Sequence, residues 1–384
     1  MAVYQPQRHI LSILKSNPPP FNKTLMEKIP NNSTVQKIQS NDTRKVELNR
    51  REFLGKSAQM GILVGTTGLG LSSTKVSAAV DDKEKISAEE KIAERISKIT
   101  EPLVGKIGFS GQRLDGGPVI SLNSEEHFPM ASIFKIPIVL AALRRVQAGD
   151  LTLDTILDVS PDKYVMSEVI SVTFIHPGIS LSLANLIEVM ITHSDNTATD
   201  IVQEVAGGPQ AVTAFLKELG IEGMTVDRNT AGFMKDFYGF DSGLENIMQA
   251  VKYSMADPVG SNAPKPEFER DMRDQSTPTA MMTLLSKLGK GEVLNKELTD
   301  FILGVMSRTS TGPGRIKGLL PKGIPVAHKT GTIGGVSNDA GFITLPDGGK
   351  MVLSVFTKSS STPMPDRDRA IAETARVLYE YFCS

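Results

Sequence analysis

The chain has 384 residues, 40% of them hydrophobic and 22% charged, so it exceeds one typical domain and can bury a large core. A formal net charge of −1, with no basic run interleaved with aromatics, excludes a polyanion-binding surface, and no nucleic acid partner is expected. One cysteine, Cys383, excludes an internal disulfide or a cysteine metal cluster, and five scattered histidines without a His-Glu-x-x-His pattern argue against catalytic zinc; neither metal nor cofactor is expected.

Residues 1–48 are polar, bear Asn, Pro and Gln, and lack a sustained apolar period, which reads as a disordered or processed extension. Asn49-Arg50-Arg51-Glu52-Phe53-Leu54 then precedes a modestly apolar run from Met60 to Leu71 and the small residues Ser77-Ala78-Ala79. Residues 49–79 resemble a twin-arginine export signal that is cleaved after translocation, with the twin-arginine machinery as partner and a periplasmic or extracytoplasmic destination. The apolar run is too short and too Gly-rich to span a bilayer. Gly55-Lys56-Ser57 lacks the earlier glycine of a phosphate loop.

Ser87 followed by Glu90 is a capping-box pattern, and Ile92, Ile96 and Ile99 then recur on one helical face. Val104 to Ser110 and Pro118 to Leu122, separated by Asp115-Gly116-Gly117, read as a hairpin. Near the other end, Ile324 to His328, Asp339 to Leu345 and Met351 to Thr357 read as strands, with Asp347-Gly348-Gly349 as the last turn. A closing helix from about Asp366 to Phe382 turns Ile371, Ala375, Leu378 and Phe382 inward. The fold class expected is α/β: a five-stranded antiparallel sheet flanked by helices, completed by the returning chain. The sheet lobe takes residues of about 85–125 and 315–384, and an all-helical lobe of about 126–314 is inserted between them.

The chemistry centres on Phe128-Pro129-Met130-Ala131-Ser132-Ile133-Phe134-Lys135, where a serine and a lysine stand three apart at a helix start. One turn of helix puts both on one face, within reach of each other. A hydroxyl attacks carbonyls poorly until a base takes its proton, and a lysine in an apolar pocket near other cations is pushed toward its neutral form. Ser12 with Lys15 and Ser72 with Lys75 repeat the spacing, so it carries little alone. Ser194-Asp195-Asn196 and Lys329-Thr330-Gly331, each present once, follow Ser132 in the order of a known serine-lysine motif set. Three motifs on three elements meet only in a cleft between the lobes.

With these motifs, residues from about 85 to 384 resemble a class A β-lactamase of the penicillin-recognising serine hydrolase family. The resemblance implies an acyl-Ser132 intermediate, Lys135 as proton acceptor or its electrostatic support, and Ser194 as proton carrier to the departing lactam nitrogen. It implies that Asn196 binds the substrate side-chain amide, that Lys329 and Thr330 receive its carboxylate, and that Gly331 lets it lie against the strand. The N–H groups of Ser132 and Thr332 would form the oxyanion hole, commonly worth about 10² to 10³ in rate per donor. Asp195 is expected to brace its loop. Arg315, in Thr311-Gly312-Pro313-Gly314-Arg315-Ile316, is either a second cation for the carboxylate or a solvated surface arginine, and Tyr164 is either an aromatic at the cleft mouth or a packed tyrosine.

The family's deacylating loop carries Glu-x-x-Leu-Asn soon after an arginine. Asp227-Arg228 matches its start and Arg273-Asp274 with Ser276-Thr277-Pro278 its end, predicting an Arg228–Asp274 ion pair at the neck. Yet Thr230 and Met234 stand where the glutamate and asparagine belong, and residues 229–273 form a divergent, extended loop. Within it Glu245 either folds back as a substitute base or faces solvent on an amphipathic helix marked by Phe237, Tyr238, Ile247, Val251 and Tyr253. The expected function is β-lactam hydrolysis by a monomer. The alternatives are a D-alanyl-D-alanine carboxypeptidase or esterase and a slowly deacylating β-lactam-binding protein.

Overall fold

The computed structural model describes residues 87–384, except 168, 248 and 250–262. The expectations for residues 1–48 and 49–79, and for Val251 and Tyr253, fall outside the described residues.

Helix α1, Ala88–Thr100, starts at the capping box: Glu90 N–H donates to Ser87 Oγ at 3.1 Å, and Ser87 N–H to the Glu90 carboxylate at 2.8 Å. Strands β1, Lys106–Arg113, and β2, Ile120–Leu122, form the first hairpin. The return of the chain adds β7, Val326–Ile333, β8, Val336–Thr344, and β9, Lys350–Lys358, ahead of the closing helix α9, Met364–Cys383. The five strands pair antiparallel in the order β2-β1-β9-β8-β7, which is the fold class expected, with β7 as an edge. Ile96 of α1 packs with Ile371, Ala375, Leu378 and Phe382 of α9 and with Phe109, Leu353 and Val355 of the sheet. A fully buried side chain of that size contributes about 1.5–3 kcal/mol, so this layer fixes the sheet against two helices.

One boundary differs in a way that matters. The strand read as ending at His328 continues to Ile333, through the whole Lys329-Thr330-Gly331 segment. Thr330, Thr332 and Ile333 are β-branched and favour a pleated strand, and the chain reverses only at Gly334-Gly335, where Gly334 takes φ 49°.

Between the two parts of the sheet, strand β3, Phe128–Pro129, leads to the helix α2, Lys135–Ala148, whose residues Lys135 to Leu143 are all buried. Strands β4, Ile156–Val159, and β5, Ile179–Ser182, pair on the way to helices α3, Leu183–Thr192, α4, Asn196–Val205, and α5, Pro209–Glu218. Helix α6, Thr230–Tyr238, opens the extended loop, and strand β6, Gln275–Ser276, closes it by pairing with β3. Helices α7, Pro278–Gly289, and α8, Lys296–Ser307, lead back to the sheet.

Candidate active site

Ser132 does not sit in α2 itself but in a 3₁₀ turn, Ala131–Phe134, that runs into it. Pro137 explains the tightening. It has no N–H to send to the Ile133 carbonyl, so the turn before it closes on shorter bonds, Ile133 N–H to Met130 O at 3.2 Å and Lys135 N–H to Ser132 O. In a 3₁₀ turn residues three apart eclipse, which places Lys135 directly over Ser132. Ala131 pays for the turn with φ 46°, a conformation alanine rarely takes. Its neighbours hold it there: Asn338 Nδ2 donates to Pro129 O at 2.8 Å and Met130 O at 3.1 Å, and Met130 N–H donates to Asp274 O at 3.0 Å.

The second motif follows the end of α3. Ser194 has φ 59°, and Asp195, fully buried, caps α4 by accepting from Ala198 N–H at 2.9 Å and from Ile170 N–H at 2.8 Å. That kink aims Ser194 and Asn196 at Lys135. Lys135 Nζ donates to Ser194 O at 2.6 Å, Asn196 Oδ1 at 2.8 Å and Ser194 Oγ at 3.1 Å. Asn196 Nδ2 in turn donates to Met166 O at 2.7 Å, which sets its amide orientation.

The edge strand β7 supplies the third part. Lys329, fully buried, donates through Nζ to Ser194 Oγ at 3.0 Å and to Thr330 O at 2.8 Å. The Ser194 hydroxyl therefore lies between two lysine amines. A serine oxygen has two lone pairs and one proton, and when both lone pairs face N–H donors, the proton is directed elsewhere. Thr330 shares a hydroxyl hydrogen bond with Thr311. A Cβ on Gly331 would stand 2.6 Å from Met130 O and 3.1 Å from Ile133 N, so this glycine admits the backbone of the Ser132 turn. Its bareness serves the protein's own packing rather than a substrate alone.

A family model, that of the β-lactamase enzyme family, matches residues 90–382. The chain belongs to the β-lactamase enzyme family. Among curated relatives, β-lactamase VEB-1 of Pseudomonas aeruginosa is 28% identical over 298 residues, covering 75% of this chain and 88% of that protein. A β-lactamase of Bacteroides uniformis is 29% identical over 279 residues, 69% of this chain and 83% of its own. The crystal structure of TLA-1 extended-spectrum β-lactamase matches with a TM-score of 0.66 at 25% identity, over 78% of this chain and 100% of that one. An ancestral class A β-lactamase matches with a TM-score of 0.63 at 30% identity, over 76% and 100%.

Within this β-lactamase fold, several residues stand elsewhere than expected. Tyr164 is fully buried and donates its hydroxyl to Phe174 O at 2.6 Å, and burial raises its pKa; it is a packed tyrosine, not an aromatic at the cleft mouth. Arg315 is no solvated arginine. It is 3% exposed, donating to Asp368 Oδ1 at 2.7 Å, to Gly331 O and Asn338 O at 2.9 Å each, and to Thr332 Oγ1 at 2.6 Å. Its guanidinium thus braces the far end of β7 and points one arm at Thr332. Glu245 is exposed, because Ile247 two positions on is buried and turns the opposite face of that short helical stretch inward. No contact joins Glu245 to Ser132, Lys135 or Ser194 among the described residues.

The loop neck closes as an ion pair, Arg228 Nε to Asp274 Oδ2 at 2.6 Å, with both side chains buried. Burial raises the Asp274 pKa despite the Arg228 charge and the N–H groups of Asp227 and Arg228. Arg228 also reaches Asp236 at 2.6 Å and Asp271 at 3.3 Å, and lies 5.4 Å from the Phe233 ring centroid and 5.5 Å from that of Phe268. Phe233, Phe237 and Phe268 form a small core with Ala131, Ile333 and Val336, so α6 and the segment around Phe268 pack against the nucleophile turn and the β7–β8 reversal.

Two participants escaped the sequence reading. Asn338, which clamps the Ser132 turn, looks from sequence like any polar strand residue. Asp200 stands four residues after Asn196, a spacing that was visible. It accepts from Thr230 N–H at 2.6 Å and Ala231 N–H at 2.9 Å, and its pKa is raised to about 6 by burial, which outweighs those donors and the Lys135 charge.

Proposed function

We propose that this chain is an exported serine β-lactamase that opens β-lactam rings through an acyl-Ser132 intermediate. The observation that carries it is the Ser194 hydroxyl held at 3.1 Å and 3.0 Å from the amines of Lys135 and Lys329. In acylation, Ser132 Oγ bonds to the lactam carbonyl carbon and its proton passes to Lys135. The C–N bond then breaks, and the nitrogen takes the Ser194 proton, which is replaced from Lys135. Lys329 and Thr330 receive the substrate carboxylate, Arg315 steadies Thr332 beneath it, and the N–H groups of Ser132 and Thr332 take the oxyanion. Asn196 orients the side-chain amide. Thr230 in place of a glutamate favours, as the second reading, a protein that acylates and releases slowly; a carboxypeptidase or esterase would use the same acylation residues.

Full-length protein mixed with a chromogenic cephalosporin, followed by absorbance and intact mass, tests this. Continuing colour is the expected result. One equivalent of colour with a lasting adduct supports the slow-release reading, and absence of both colour and adduct refutes β-lactam chemistry. Ser132→Ala is expected to abolish the adduct, and an adduct that survives assigns the nucleophile elsewhere.

A further inference from the structure

Hydrolysis of the acyl-enzyme needs a base for water, and the loop position where the family carries glutamate holds Thr230. Among the described residues, the other carboxylates nearby are committed. Asp236, Asp271 and Asp274 hold Arg228, Asp195 caps α4, and Glu245 is exposed. Asp200 differs. It lies one turn along α4 from Asn196, on the same face, and Asn196 Oδ1 accepts from Lys135 at 2.8 Å.

We propose that Asp200, acting through the Thr230 hydroxyl, is the base that activates the water deacylating Ser132. The proposal rests on the acyl-Ser132 reading above. Each Asp200 oxygen takes one N–H, from Thr230 or Ala231, and a carboxylate oxygen has a second lone pair to offer. Thr230 is 3% exposed, and its Oγ1 has no hydrogen-bond partner among the described residues. The same hydroxyl steadies the charged Asp200 carboxylate, which places the two side chains next to each other. Burial pushes Asp200 up to about 6, near the pH at which a general base works best.

The step balances. Water oxygen bonds to the ester carbonyl carbon while one water proton passes to Thr230 Oγ and the Thr230 proton to Asp200. Collapse breaks the bond to Ser132 Oγ, and the proton held on Asp200 passes to that oxygen by way of the Lys135 amine, which is neutral before and after deacylation, as acylation requires.

Among the described residues, the charges around Asp200 are few. Lys135 faces it from α2, while α6 offers N–H groups and a hydroxyl. Glu204, one turn further along α4, pairs with Lys163, and Glu188 of α3 with Arg308. An acid limb in deacylation that Asp200→Asn removes therefore reports Asp200.

The test measures acylation and acyl-enzyme lifetime separately, by stopped flow and intact mass, for the full-length protein and for Asp200→Asn, Thr230→Val and Thr230→Ser. Expected are near wild-type acylation throughout, lifetimes extended by about 10² or more in Asp200→Asn and Thr230→Val, and a lifetime near wild type in Thr230→Ser. Wild-type deacylation is expected to fall below about pH 6, with that limb absent in Asp200→Asn. Unchanged lifetimes, or an acid limb that survives in Asp200→Asn, would overturn the proposal, as would a wild-type adduct that never clears. Should circular dichroism show Asp200→Asn unfolded, the Thr230 pair decides, and equal lifetimes for Val and Ser refute the relay. A wild type that is never acylated refutes the β-lactamase reading instead.

Discussion

Ser194 Oγ accepts from two lysines at nearly equal distances, and those two bonds decide where its proton points. A side chain so placed delivers a proton without needing an unusual pKa of its own. Asp200 is the opposite case, since burial shifts its pKa from 3.8 to about 6. The folded protein then binds that proton more tightly than the unfolded chain does. The stability this group contributes is present at low pH and is lost as pH rises from about 4 through about 6. Asparagine cannot ionise, so Asp200→Asn carries only a constant penalty from turning an amide N–H toward a backbone donor. Comparing melting curves from about pH 4 to pH 7 should show the variant gaining on the wild type, by at most about 3 kcal/mol for a shift of this size. A difference that stays flat with pH contradicts the raised pKa.

At the scale of elements, the neck of the extended loop and the nucleophile turn are one assembly. Asp274 meets Arg228 through its carboxylate and Met130 through its carbonyl, and β6 pairs with β3 just ahead of Ser132. Arg228→Ala would strand the Asp274 carboxylate, already raised in pKa by burial, without its partner. A loss of about 3–5 kcal/mol is expected in chemical denaturation, together with slower acylation, because the strained Ala131 turn loses a support. A variant that keeps wild-type stability would mean that Asp236, Asp271 and Asp274 do not depend on that cation. The pairing was legible in the sequence because Asp227-Arg228 and Arg273-Asp274 are short signatures at turn positions. What those signatures could not give was the packing across them. A tyrosine looks the same in sequence whether it lines a cleft or, like Tyr164, is buried with its hydroxyl on a carbonyl. Gly331 likewise announces a close approach without saying what approaches, and here it is the Met130 carbonyl. Asp200 was visible at four residues from Asn196, but its meaning depended on knowing that α6 begins against it.

For the molecule as a whole, the site is completed only when the chain returns. β7 brings Lys329, β8 brings the Asn338 clamp, and both belong to a sheet whose β1 and β9 rest on α1 and α9. The helical lobe carries Ser132, Lys135 and Ser194 but lacks the strand that finishes the cleft. Damage to the far side of the sheet should therefore reach the chemistry through global stability. Leu378 of α9 is fully buried, and a Cβ on Gly111 of β1 would come 3.1 Å from its Cδ1, so the contact is tight. Leu378→Ala leaves a cavity between helix and sheet, for an expected loss of about 2–5 kcal/mol. In a denaturant titration, helix content by circular dichroism and burst-phase acylation of Ser132 should be lost together, with both midpoints lowered equally by the substitution. If the sheet supplies the last wall of the site, no concentration of denaturant should leave the helical signal intact and acylation absent; two separated transitions would show that the lobes hold their structure independently.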